Sequence, residues 1–140
     1  MWTPARRLLA LMLLAATVQA QAGELPPCPD SPNCVSSQAD SDGPQVAPLQ
    51  TGLTAEQAQA ALVAELASRP RVTITLEEPG RVEAEFTSAM FRFTDDALFL
   101  IRPDGSIDVR SASRVGYWDM GANRRRVESL RESLSAGPAD

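Results

Sequence analysis

The chain has 140 residues, 44% of them hydrophobic, and its 13 basic residues against 18 acidic give a formal net charge of −5. That length accommodates one small domain with a single modest core. Every basic residue is an arginine, and the absence of lysine and histidine removes the bases of Ser-His-Asp, Cys-His and Ser-Lys sites, all Schiff-base chemistry and the imidazole ligands of most catalytic zinc sites.

The opening MWTPARRLLALMLLAATVQAQAG joins Arg6 and Arg7 to an apolar run from Leu8 to Val18 and a small-x-small segment, Ala20-Gln21-Ala22. This is the plan of a secretory signal peptide over residues 1–22, cleaved before Gly23. The run is too short for a span, which needs about 20 apolar residues. Nor does Cys28 follow the Leu-x-small-small run of a lipid-anchored protein, since Leu25, Pro26 and Pro27 precede it. The expectation is an exported protein of the periplasm, with no membrane insertion after cleavage. Loss of Arg6 and Arg7 leaves thirteen arginines less two against eighteen acids, a net charge of −7. Such a surface repels nucleic acid and anionic lipid on average, so no nucleic-acid partner is expected.

Residues 23–53 read as a disulfide loop and linker. Cys28 and Cys34 bracket the Pro-rich loop CPDSPNC, and an even cysteine count in an oxidising compartment reads as one structural disulfide. A redox pair fits less well: the spacing is not CxxC and no nearby positive charge lowers a thiol pKa. Two thiolates without histidine also fall short of a four-ligand zinc set, and neither metal nor cofactor is expected. The stretch SSQADSDGPQVAPLQTG has no periodicity and runs over the domain, with Val46 and Leu49 available to tack it down.

The domain proper spans 54–135. Thr54 with Gln57 makes a capping box, and Ala58, Ala61, Leu62 and Leu66 follow a 3.6-residue repeat up to Pro70, predicting a helix over 54–68. The period then changes to two. Val72, Ile74 and Leu76, the turn Glu78-Pro79-Gly80-Arg81, and Val82, Ala84 and Phe86 predict a hairpin. A second strand pair runs from Ala97 to Ile101, with room to extend back through Ala89 to Thr94, turns at Arg102-Pro103-Asp104-Gly105 and continues through Ile107 and Val109 to Ser113. Phe86, Phe91, Phe93 and Phe99 fall at strand spacing and are assigned to the core. Met120, Val127, Leu130 and Leu134 form the stripe of a last helix if Asp119 caps it. Residues 136–140 fray. The fold class is α+β: a two-layer domain with an antiparallel sheet of about four strands and two helices on one face, in the order α-β-β-β-β-α.

The stretch RSASRVGYWDMGANRRRVE, Arg110 to Glu128, gathers five arginines and two adjacent aromatics in an otherwise acidic chain. Arginines at a helix N-terminus oppose its dipole, so they require internal carboxylates or a bound anion. Glu83, Glu85, Asp95 and Asp96 are available as internal partners for Arg110, Arg114 and Arg124. Alternatively Arg110, Ser111, Ser113, Arg114, Tyr117, Asn123 and Arg124 form an anion-recognising patch for a small anionic ligand or a periplasmic protein partner. Trp118 beside these arginines could stack on a ligand or pack over the helix. A third reading uses Asp95 or Asp96 as general acid or base of a hydrolase or lyase, although neighbouring residues on a strand point to opposite faces. Asp95, Glu85 and Asp119 could together hold a cation, but no spaced calcium-loop pattern is present.

CPDSPNCVSS, EFTSAMFRFTDD and RSASRVGYWDMGANRRRVE resemble the three signatures of a bacterial and plant family, domain-of-unknown-function family 1499. The resemblance runs from about Cys28 to Arg131 and implies no particular activity, since the family has none assigned. Members typically resemble VDDVEF where this chain has Thr94 to Phe99, so an acid is missing at Leu98. A ligand or catalytic role of that acid would be absent here, which weakens the enzyme reading.

Overall fold

Alternating apolar residues in four successive strands create one oily sheet face, and two helices cover it. The computed structural model describes residues 23–136. The expected signal peptide and the last four residues lie outside the described residues. The elements are β1 (Cys34–Ser36), α1 (Ala55–Ser68), β2 (Val72–Glu78), β3 (Arg81–Thr87), β4 (Thr94–Ile101), β5 (Ile107–Ser113) and α2 (Ala122–Ser135). All pairings are antiparallel, in the order β1-β5-β4-β3-β2.

The α+β class holds, with five strands rather than about four. The additional strand, β1, lies in the stretch that reads as loop. Three residues are too few to display a period, and β1 owes its conformation to its partner: Cys34 pairs with Ala112, Val35 with Ser111 and Ser36 with Arg110. Beyond it, the isolated bridges Ser36–Gln45 and Leu49–Ile107 hold the same stretch to the sheet. Val35, Val46 and Leu49 are buried in the main core. The stretch is thus part of the fold, tied down by the two apolar residues that the sequence makes available.

The core comprises Val82, Ala84 and Phe86 of β3, Ala97, Phe99 and Ile101 of β4, and Ile107 and Val109 of β5. Ala58, Leu62 and Leu66 of α1 and Val127, Leu130 and Leu134 of α2 close over them. Each fully buried leucine contributes about 2 kcal/mol by removal from water. The capping box forms: Gln57 N–H donates to Thr54 Oγ1, and Thr54 N–H donates to Gln57 Oε1. At the outer edge β2 pairs only with β3, and its register shifts between Ile74 and Leu76.

Phe86 and Phe99 are core residues, whereas Phe91 and Phe93 are 70% and 55% exposed, which corrects their assignment. β3 ends at Thr87 and β4 begins at Thr94, so residues 88–93 are a loop and their alternation has no pleat to act on. Arg92 takes a left-handed φ of 53°, which breaks any extension of β4 back towards Ala89.

Both hairpin turns use glycine at positive φ, 83° at Gly80 and 82° at Gly105. They differ in space. A Cβ on Gly105 would sit 1.9 Å from the Leu53 carbonyl oxygen, while one on Gly80 would meet nothing closer than Ile101 O at 3.9 Å. Gly80→Ala should therefore lose about 1 kcal/mol for left-handed strain alone. Gly105→Ala should lose more than about 3 kcal/mol, because the loop before α1 must move. Denaturant midpoints of the two variants at equal m-value test the difference.

Candidate functional site

One end of the sheet carries the unusual chemistry. Thr87 N–H donates to Arg71 O (3.0 Å), Thr87 pairs with Thr94, Arg114 N–H donates to Thr94 O (3.0 Å), and Ser113 N–H donates to Asn33 O (2.9 Å). The disulfide loop, the 88–93 loop and the 114–121 turn into α2 are thereby brought to a common edge.

Beneath these loops lies a hydrogen-bond network centred on Asn123, which is 0% exposed. Its two Nδ2 hydrogens are shared among Asp119 Oδ2 (2.8 Å), Ser113 Oγ (3.0 Å) and Asn33 O (3.1 Å). Its Oδ1 accepts from Ser111 Oγ (2.7 Å) and Arg126 Nη1 (2.7 Å). Arg126 also donates to Asp95 Oδ2 (2.7 Å), and its guanidinium lies 4.5 Å from the Phe86 ring centroid. Asn33 Nδ2 donates to Gly116 O (2.7 Å), which ties the disulfide loop to the aromatic turn. Within that loop the Cys28 and Cys34 sulfurs are bonded at 2.01 Å.

Asp119 lies two residues before Gly121, the N-cap of α2, and not at the cap position that the sequence suggests. It accepts from Gly121 N–H (2.8 Å) and Asn123 N–H (2.9 Å). Burial pushes its carboxyl pKa up, but the hydrogen bonds from Asn123 and Gly121 outweigh burial and hold it below the ordinary 3.8. The positive end of the helix dipole is thus answered from inside the protein.

The residues singled out for the arginine patch separate into five environments. Ser111, Ser113 and Asn123 belong to the network. Arg114, on the opposite sheet face, donates to Asp96 (2.6 and 3.0 Å) and Glu85 (2.7 Å). Glu85 and Asp96 are directly paired across β3 and β4, so Arg114 neutralises two like charges held side by side, and those bonds, Asp96's first, raise its pKa. Arg110 reaches Pro27 O at 3.3 Å. Its Nε is buried without a partner, and burial lowers its pKa while Asp96 opposes the shift. Arg124 donates to Gly43 O (2.7 Å) and Gln45 O (3.0 Å). It lines a cleft of about 380 Å³ together with Cys28, Asp30, Pro44, Trp118 and Asp119. Tyr117 stands 71% exposed.

Asp95 and Asp96 each face a guanidinium, Arg126 and Arg114 respectively. The residue that sequence reasoning passed over is Arg126. Its signal was the three-residue spacing from Asn123, which places both on one helix face. Among the described residues no group of His, Cys, Asp or Glu is arranged to hold a metal ion, and no helix is long and apolar enough to cross a membrane.

Above the network the surface is apolar. Met90, Phe91 and Phe93 in one loop and Val115, Tyr117, Trp118 and Met120 in the other are all more than half exposed, and they are the exposed large hydrophobic residues of the described chain. Among the described residues, the three non-glycine residues with positive φ, Arg71, Arg92 and Met120, lie at the same end.

Fold and site together define a small α+β domain whose disulfide loop, aromatic turn, central strands and last helix are joined by one polar cluster. The chain belongs to the family described as protein of unknown function (DUF1499), whose profile matches residues 24–134. Searches of the curated proteins and of the solved structures return no match.

Asn123→Ala should destabilise the domain by about 3 kcal/mol, because it strands several buried polar groups. Arg114→Ala, at an exposed pair, should leave the melting temperature near wild type. Thermal melts of both variants check this contrast. Because the Asp119 pKa is depressed, its contribution is full above pH 3.8 and is lost as pH falls through the lower folded value. Melting temperature measured from pH 5 down to about 2.5 should therefore fall more steeply for wild type than for Asp119→Asn.

Proposed function

We propose that this chain is a small exported binding module that engages its partner through the loop end of the sheet. The observation that carries this reading is that, among the described residues, all seven exposed large hydrophobic residues are confined to two neighbouring loops. Exposed apolar residues scattered singly are ordinary, whereas a contiguous patch marks an interaction surface. Left-handed backbone at Arg71, Arg92 and Met120 adds strain where a functional surface is often found.

Anion recognition in this reading belongs to guanidinium groups that have no carboxylate partner among the described residues. Arg71, Arg92 and Arg125 are exposed at the patch. Arg124 with Trp118 lines the adjoining cleft, and Tyr117 projects beside it. Arg114, Ser111, Ser113 and Asn123 act as the frame that positions these groups, and Arg110 supports the disulfide loop through Pro27. Export is consistent with the bonded cysteine pair.

A photo-crosslinking residue placed at Phe91 in cells should capture a protein or lipid adduct. The same residue at Glu77, on the far hairpin, should capture none. Adducts at neither position, or equally at both, would contradict an interaction surface at the loop end.

A further inference from the structure

We propose that the partner at this end is the surface of an anionic lipid bilayer, contacted at headgroup level by the two loops without any membrane span. The inference rests on the preceding reading of the loop end as an interaction surface and names its occupant.

The shape of the patch favours a bilayer. Phe91 at 70% exposure and Tyr117 at 71% project from loop tips rather than line a groove, so they suit a soft layer that closes around them. Phe91 and Phe93 stack with centroids 5.8 Å apart, forming one apolar wedge. Tyr117 and Trp118 combine an apolar ring with a polar atom, the composition that settles at a membrane–water boundary.

Charge supplies the orientation. A net charge of −7 for residues 23–140 opposes approach to anionic lipid on average, but the charge is unevenly placed. At the loop end Glu85, Asp95 and Asp96 are held by Arg114 and Arg126, and Asp119 faces the α2 N–H groups. Asp30 remains across the cleft from Trp118, and Asp42 sits between Ser41 and Gly43 of the same cleft, where Arg124 balances one of the two charges. Against these stand Arg71, Arg92 and Arg125. Arg71 donates through Nε to Thr87 O, and Arg125 through Nη1 to Met120 O, so each keeps further N–H groups for phosphate oxygens. The opposite end gathers Glu56 and Glu77 beside the Pro79-Gly80 turn, with Glu78 at the end of β2 and Asp104 in the turn before β5. An acidic pole directed away from the membrane and an arginine-rimmed apolar pole directed towards it give one favourable orientation.

Trp118 is at the site, and Trp2 is the second tryptophan of the chain. The full-length chain carrying Trp2→Phe therefore reports on this end alone, even if the N-terminal apolar segment anchors it to lipid. It is mixed with vesicles of phosphatidylcholine containing about 30% phosphatidylglycerol, and with the same vesicles made from lipids brominated on the acyl chains. The expected result is a blue shift of Trp118 emission and quenching by the brominated lipid, weaker on pure phosphatidylcholine and in high salt. Phe91→Ser with Phe93→Ser should abolish both signals while the melting temperature stays at the parent value. Arg92→Ala with Arg125→Ala should weaken the response about thirtyfold. Vesicle binding without any change in Trp118 emission would mean that only the N-terminal segment touches lipid, and would overturn the proposal. So would an unchanged spectrum without binding. If the crosslinker at position 91 then captures a protein, the interaction surface stands and only its lipid occupant is wrong.

Discussion

The buried carboxamide of Asn123 is the interaction on which the loop end depends. It donates to Asp119, Ser113 and Asn33 and accepts from Ser111 and Arg126. One fully buried side chain thus touches the aromatic turn, β5, the disulfide loop and, through Arg126 and Asp95, β4. In a low-dielectric interior such a cluster is stable only when every member is satisfied. That requirement fixes the relative positions of the segments that it joins. Apolar packing holds the two layers together, and the polar cluster decides where the loops stand.

The same distinction explains what the sequence discloses. Helix α1, the hairpin of β2 and β3, and the pairing of β4 with β5 were legible because each carries its own period or turn chemistry. Helix α2 was legible in Val127, Leu130 and Leu134, but Met120, expected on the same stripe, stands exposed at a left-handed φ before the helix. Its cap is Gly121 rather than Asp119, which reaches the first turn from two residues further back. Strand β1 was not, because three residues have no period and its existence depends on Ala112, Ser111 and Arg110 far along the chain. Phe91 and Phe93 imitate strand alternation but occupy a loop, and only the left-handed Arg92 between them reveals it. Nothing local announces that conformation, since arginine is not a residue that favours positive φ.

At the site, sequence reasoning located the correct stretch but could not distribute its arginines. Three consecutive arginines on a helix point in three directions, about 100° apart. Arg124 reaches loop carbonyls, Arg125 stays at the surface, and Arg126 enters the polar cluster. The stretches that carry the family resemblance contain Asn33, Asp95 and the Ser111–Arg126 set, so the three converge in space on Asn123. A pattern dispersed through the chain is, in the fold, a single object.

The open edge of β2 has a consequence for how this protein meets others. A free edge strand invites another chain to add itself by backbone pairing. Here the register shift between Ile74 and Leu76 interrupts the row of exposed N–H and C=O groups, and Glu77 and Glu78 place two negative charges at its end. On the other side the three-residue β1 is too short to template a partner. With both flanks closed to strand addition, growth of the sheet into fibrils or edge-to-edge dimers is suppressed. In the proposed reading, recognition is left to the loops, which can release a partner without disturbing a single rung of the sheet.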